Sequence, residues 1–356
     1  MDYSGRMGLG RLCLRASLIL CASTAGAQDA PFVERVEVAR VLIDVRVFDD
    51  RGAPIRSLGV SDFVVTIGGR RVRVESAEWV GREPQPGPAG GMHRQSREPP
   101  RGAAGARPRL EPAGRLIVVL VQKDLESSRV TGLMQLSRLA DHLLEPLTPE
   151  DRVAVLSFDS RLRIWTDFTN DFERVRAVLR DDVLRRHPGP AARARDVSLI
   201  ARLDERTAAR THAVERALQR IAESLEPLPG AKSVVLLGYG FGRFSFSGVI
   251  LMDGYEEAAA ALKRARAAVF TLNVTQADYN SLQAGLESVS EETGGVYAKL
   301  YPFPEQGIRR VTHALAGHYV LFVERPDLPG GAHRIDVRLA SDRGRLVAGR
   351  GFLQIP

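Results

Sequence analysis

The chain has 356 residues, 44% hydrophobic and 26% charged, with a formal net charge of +7. That mixture is globular and long enough for two cores, which excludes a wholly disordered or fibrous chain. The two cysteines, Cys13 and Cys21, both fall in an amino-terminal leader, so the mature chain has no thiol for a disulfide, a nucleophile or a thiolate metal site.

The leader is read from Arg6, Arg11 and Arg15, the apolar run Ala16 to Ala22, and the small residues Ala25-Gly26-Ala27. This is the order of a cleavable export signal ending at Ala27, so a periplasmic or extracellular location is expected. The run is far shorter than the roughly 20 residues that cross a bilayer, and no later segment is long and apolar enough to do so. Leu20-Cys21 makes a poor acylation site. The three leader arginines against Asp2 supply two of the seven positive charges. The remainder is nearly all Arg, spread through a linker and helices without interleaved aromatics, so nucleic acid is not an expected partner.

Residues 28–81 alternate as strands do, in Val41-Leu42-Ile43-Asp44-Val45-Arg46-Val47 and Phe63-Val64-Val65-Thr66-Ile67, with a two-residue hairpin turn at Gly68-Gly69. This is a small β module. Residues 82–113 are dominated by Pro, Gly, Arg and Ala without apolar periodicity and read as a linker. From 114 to 317 apolar runs (Leu116 to Val121, Val153 to Phe158, Val234 to Leu237, Ala268 to Val274) alternate with amphipathic stretches, among them Val130 to Leu144, Asp204 to Leu225 and Tyr255 to Ala267. That alternation predicts an α/β fold, a mostly parallel sheet with helices on both faces. Leu162 to Thr166 is expected to return antiparallel as an edge hairpin. Residues 318–356 read again as strands, which could complete the amino-terminal β module.

Several passages in this order resemble the von Willebrand factor A superfamily, in particular a group of secreted bacterial proteins described as VWFA-related. They are Val45-Arg46-Val47-Phe48-Asp49-Asp50-Arg51-Gly52, Leu147-Thr148-Pro149-Glu150-Asp151-Arg152-Val153, Leu228-Pro229-Gly230-Ala231-Lys232-Ser233-Val234, Glu291-Glu292-Thr293-Gly294-Gly295 and His318-Tyr319-Val320-Leu321. The resemblance implies a von Willebrand A-like (Rossmann-like) sheet and adhesion or assembly through a metal ion at the carboxyl ends of its strands. In that family an Asp-x-Ser-x-Ser loop, a Thr and a later Asp hold the ion. Such oxygen donors suit Mg²⁺ or Mn²⁺.

The corresponding loops depart from that pattern. Gln122 stands directly after the first strand where an Asp belongs; sliding by two positions gives Asp124, Glu126 and Ser128, with Thr211 as the second-loop candidate. The later Asp becomes Tyr239, and Lys123 adds repulsion. The same residues also suit a polar loop with Ser127 or Ser128 capping a helix, and Thr211 lies in a helical pattern where a surface position explains it equally. Gly238-Tyr239-Gly240-Phe241-Gly242 invites a dinucleotide-binding reading, but its third glycine comes one position early and no helix follows. Tyr239, Phe241, Arg243, Phe244 and Phe246 have the composition of a contact patch, or fold back onto the sheet. None of the histidines has ligand spacing, and no serine sits in a nucleophile elbow.

The leading expectation is therefore an exported, non-catalytic protein that binds another protein through Lys123 to Arg129, Arg210 to His212 and Gly238 to Ser247, without a cofactor. A Mg²⁺- or Mn²⁺-dependent adhesin is the second reading. A hydrolase or nucleotide-binding enzyme is the third.

Overall fold

In a computed structural model of the protein, residues 40–81, 114–246, 248–251, 254–349 and 351–355 are described; the expected leader and the expected linker lie outside them. Strand β1 (Arg40–Phe48) is followed by β2 (Phe63–Ile67), β3 (Arg70–Val72) and β4 (Val74–Gly81). The Gly68-Gly69 turn forms as expected, pairing Ile67 with Arg70, and both glycines take the positive φ that such a turn demands.

The α/β body begins with β5 (Leu116–Gln122), α1 (Ser127–Arg138), α2 (Ala140–Leu144), β6 (Arg152–Phe158) and β7 (Leu162–Thr169). Next come α3 (Phe172–Ala177), prolonged by a π-helical turn (Val178–Asp182), then α4 (Glu205–Ala209) and α5 (Val214–Leu225). Strand β8 (Lys232–Gly238) leads into a small hairpin of β9 (Arg243–Ser245) and β10 (Gly248–Ile250), followed by α6 (Tyr255–Arg264), β11 (Ala267–Asn273), α7 (Gln283–Thr293), β12 (Tyr297–Lys299) and α8 (Pro304–Leu315). The chain closes with β13 (Gly317–Glu324), β14 (Gly331–Leu339), β15 (Arg345–Ala348) and β16 (Gly351–Ile355).

The central sheet runs β12-β11-β8-β5-β6-β7, parallel throughout except for the edge strand β7, which pairs antiparallel with β6. Every residue of β5 is buried because both faces are covered. Its alternate side chains feed two cores. Leu116, Val118 and Leu120 pack with α5 and α6, whereas Ile117, Val119 and Val121 pack with α1, α2 and α8. Helix α5 supplies the first core through Val214, Ala217, Leu218, Ile221, Ala222 and Leu225, the i, i+3, i+4, i+7 stripe of a helix laid on a sheet.

Two antiparallel sheets, β15-β1-β13-β4 and β16-β14-β2-β3, share a third core that includes Val45, Phe63, Val65, Ile67, Tyr319, Leu321 and Val323. Carboxyl-terminal β13 is hydrogen-bonded between amino-terminal β1 and β4, and β14 pairs with β2. In chain order the α/β body is thus inserted into the sandwich. It is attached by both apolar and polar contacts: Phe48 of β1 and Val347 of β15 pack into its second core, buried Arg46 of β1 donates to Gly294 O (2.9 Å) and Ala314 O (3.3 Å), and Asp44 meets Arg266 (2.5 Å) while also facing His318 of β13 (3.5 Å).

The expected single helix over 204–225 is divided. Asp204 caps α4 by accepting from Arg206 N and Thr207 N, the chain leaves the helix at Arg210, and a new helix starts at Val214. Capping by a good N-cap residue so close upstream favours a short first helix over a continuous one.

Two outcomes are expected. At Gly132 in α1 an added Cβ would fall 1.7 Å from Val274 O, so Gly132→Ala should destabilise the fold by about 1–3 kcal/mol despite its better helix propensity; a chemical denaturation midpoint unchanged or raised would contradict this close approach. Burial pushes the His318 imidazole below its ordinary pKa, Asp44 opposing in part. The unfolded chain therefore takes up that proton first, and the contribution of neutral His318 is complete above about pH 6.5 and declines below it. Between pH 7.5 and 5.5 the melting temperature of the wild type should fall more steeply than that of His318→Gln, and parallel curves would remove His318 as the cause.

Candidate functional site

The parallel strands β5, β6, β8, β11 and β12 all end at one rim, where the loops carrying the candidate residues emerge. Gln122 is the hub of this rim. Its side chain is buried, donates through Nε2 to Gly240 O (2.7 Å) and accepts through Oε1 from the N–H groups of Tyr239 and Gly240 (3.2 Å each). A neutral amide with one donor and one acceptor end satisfies both polarities of the β8 loop backbone, which a carboxylate could not. Asn280, in the loop after β11, donates to Tyr239 O and to Thr275 Oγ1 (3.2 Å), tying a third loop to the first two.

Asp124, Glu126 and Ser128 come together, but around Arg129. The Asp124 carboxylate pairs with the Arg129 guanidinium and accepts from Leu125 N (2.6 Å) and Glu126 N (3.2 Å). Glu126 Oε2 lies 2.8 Å from Arg129 Nε as an ion-pair contact off the N–H axis, and its Oε1 accepts from Ser128 Oγ at 2.5 Å. The guanidinium lies over the Tyr239 ring, 4.0 Å from its centroid. Burial pushes the Asp124 carboxyl up, yet the Arg129 contact and the two backbone donors outweigh it and hold the group below the usual carboxylate range. Tyr239 moves the other way, pushed up first by burial and then by the nearby Asp124 charge.

These residues do not fit a divalent cation. The two carboxylates that would bind it are engaged by a guanidinium, which carries the positive charge and the donors they require. Thr211 is also directed elsewhere: it follows α4 instead of lying within a helix, its hydroxyl donates to Thr207 O (2.9 Å), and its carbonyl accepts from Leu162 N beside the β6–β7 hairpin. His212 Nδ1 lies 3.0 Å from Ser160 O in the same place. Neither serine caps α1 through its side chain; Glu126 occupies the N-cap position, and Ser128 is turned to its carboxylate. Lys123 points away from Asp124, donating to Val183 O (3.0 Å) and lying 3.4 Å from Asp159.

The proposed contact residues divide. Phe241 is 4% exposed and packs against Tyr255 at 6.2 Å between ring centroids, so it belongs to the core and not to a contact patch. The positive φ of Gly240 and Gly242 turns the chain so that Phe241 faces inward. Phe244 and Phe246 stand out from the β9–β10 hairpin at 65% and full exposure. Arg243 is exposed beside them, Tyr239 is covered by Arg129, and Ser247 lies outside the described residues. Within the expected segment Lys123 to Arg129, Leu125 is 95% exposed, and the structure adds two residues outside the expected segments, Tyr279 after β11 (71%) and Phe303 after β12 (62%). Next to Leu125 a groove of about 850 Å³ opens between α1 and the π-helical turn, with Val130, Leu133, Met134 and Leu184 along it.

A mostly parallel six-stranded sheet with one antiparallel edge strand, helices on both faces and loops converging at the strand ends settles the fold. The α/β body has the sheet architecture that the resemblance to von Willebrand factor A domains implied. The chain is similar to a von Willebrand factor type A protein from Catenulispora acidiphila (12% identity, 84% of this chain and 74% of that one, TM-score 0.38). It is also similar to an aerotolerance-related membrane protein from Bacteroides fragilis (13% identity, 57% and 98%, TM-score 0.39) and to the vWF domain of the type V pili tip protein Mfa5 from Porphyromonas gingivalis (10% identity, 57% and 95%, TM-score 0.38). No protein-family model matches the chain, and no curated protein matches it.

If Arg129 holds this rim as described, Arg129→Ala should lower stability by about 1–3 kcal/mol, because it leaves two carboxylates facing each other and uncovers Tyr239. The same variant should gain a thermal shift with millimolar Mn²⁺ that the wild type lacks, since a ligand bound only by the folded state raises its stability. An equal Mn²⁺ shift in both proteins would overturn the guanidinium's role as the resident cation.

Proposed function

We propose that this chain is an exported, non-catalytic protein of adhesion or assembly that binds a partner protein through the upper rim of its von Willebrand A-like body, with the Arg129 guanidinium in place of a metal ion. One observation carries the reading. Of the exposed large apolar side chains among the described residues, Leu42 and Val60 belong to the sandwich and Met134 to α1; Leu125, Phe244, Phe246, Ile250, Tyr279, Tyr301 and Phe303 all stand on the connections that follow the strand carboxyl ends. Apolar side chains gathered on one face of a domain mark a surface that another molecule covers.

Position strengthens the case. The connections that carry Leu125, Phe244, Phe246 and Tyr279 are tied together at their bases by Gln122 and Asn280, so that part of the patch is held in place and binding would cost less ordering. Aromatic residues at the tip of a hairpin are the type that dominates protein interfaces. Among the described residues no helix is long and apolar enough to cross a membrane. Export rests on the leader.

The test is capture from envelope and secreted fractions by the immobilised mature chain. Phe244→Ser with Phe246→Ser should weaken capture of a specific partner by about tenfold or more, Val60→Ser should leave it intact, and a chelator should not alter it. Capture indifferent to the two phenylalanines would overturn the rim assignment, and capture abolished by the chelator would restore the cation-dependent reading.

A further inference from the structure

A second concave surface borders that apolar patch at Tyr301 and Phe303, on the side of the α/β body formed by β12 and α8. It is a cleft of about 780 Å³ built from three stretches distant in sequence: the turn after β1, the β12–α8 segment, and the start of β15. Register explains how they meet. Phe48 at the end of β1 pairs with Arg345 at the start of β15, and His313 Nδ1 lies 3.0 Å from Gly52 O, fastening the turn to α8. Helix α8 buries Ile308 and Val311, which leaves Arg309 and Arg310 on its exposed side at the cleft.

The chemistry of the walls is one-sided. Five permanently cationic side chains line the cleft, Arg51, Lys299, Arg309, Arg310 and Arg345, against two carboxylates, Asp49 and Asp50. The carboxylate of Asp49 is engaged in closing its own turn, where it accepts from Arg51 N (2.9 Å) and Ala53 N (2.8 Å). Lys299 donates to Asp278 O (2.8 Å). The four guanidiniums have no ion-pair or side-chain hydrogen-bond partner among the described residues. Burial, and then the charge of Arg345, pushes Arg310 below its ordinary pKa, as expected for a cation whose neighbour is another cation.

We infer that this cleft is a binding site for a multivalent oxyanion, a compact ligand carrying two or more phosphate or sulfate groups held by Arg309, Arg310, Arg345 and Arg51. Planar guanidiniums pair bidentately with tetrahedral oxyanions. Guanidiniums brought together from separate elements without carboxylates are arranged for a ligand that bears the missing charge. A divalent cation or a neutral sugar would leave that charge uncompensated. Phe303 lines both surfaces, but none of the four arginines stands on a rim loop, so either assignment can stand without the other.

Calorimetric titration with inorganic tripolyphosphate at low salt, repeated with sucrose octasulfate, tests the assignment on the mature chain. One saturable site is expected, and Arg310→Ala with Arg345→Ala should weaken it at least tenfold. Asp50→Asn should tighten it severalfold, because it removes the one carboxylate of the cleft that no described partner engages. The double variant should melt no lower than the wild type, since it removes two like charges that make no described bond. A response to tripolyphosphate alone identifies a phosphate ligand, and a response to the octasulfate alone identifies a sulfated one. No saturable heat with either probe, or equal affinity in the double variant, overturns the inference.

Discussion

Arg46 is the residue on which the arrangement of this molecule turns. It lies on β1 of the sandwich, yet its guanidinium is buried against the α/β body, where it donates to Gly294 O after α7 and Ala314 O in the last turn of α8 and stacks 4.8 Å from the Phe270 ring. Helix carboxyl ends carry unpaired carbonyls and partial negative charge, so a cation placed there satisfies acceptors that burial would otherwise leave unmatched. Burial brings its pKa down to about 10, still charged under any physiological condition. A hydrophobic residue of the same length would fill the space but leave both carbonyls without a donor. Arg115 plays the matching part within the body, pairing with Asp151 at 2.5 Å and donating to Pro146 O and Leu315 O. Both arginines therefore contact the last turn of α8, which passes directly into β13.

The two-faced sheet was legible because its cause is local. Runs such as Leu116 to Val121 and Val234 to Leu237 have no polar alternation, which only a strand covered on both faces tolerates, and the β6–β7 hairpin followed from the short distance in sequence between Val153 to Phe158 and Leu162 to Thr166. The division of the 204–225 helix was less visible: its apolar spacing continues across the break, and only the capping strength of Asp204 argued for a separate first turn. The inward turn of Phe241 depended on the φ values of the glycines on either side, which spacing does not disclose.

The rim was legible in position more than in chemistry. Order of segments placed Asp124, Glu126, Ser128 and Tyr239 near one another. The feature that organises them is Arg129, only three residues beyond Glu126 and in plain view, but its partner Tyr239 is more than a hundred residues away. A search for oxygen donors looks for what binds a cation and passes over a cation supplied by the chain itself. Gln122 is the complementary case: as a failed acidic ligand it reads as a loss, whereas its amide makes three bonds to the β8 loop that no carboxylate could make together.

The position of β13 has a mechanical meaning. It leaves α8 and enters the sandwich as an inner strand, hydrogen-bonded along its length to β1 on one side and β4 on the other, both antiparallel to it. A pull on the rim, resisted at the sandwich, would run along this strand and load both ladders in shear, so that many hydrogen bonds must yield together instead of parting one after another. The connection between the α/β body and the sandwich is in that sense a rope held from both sides.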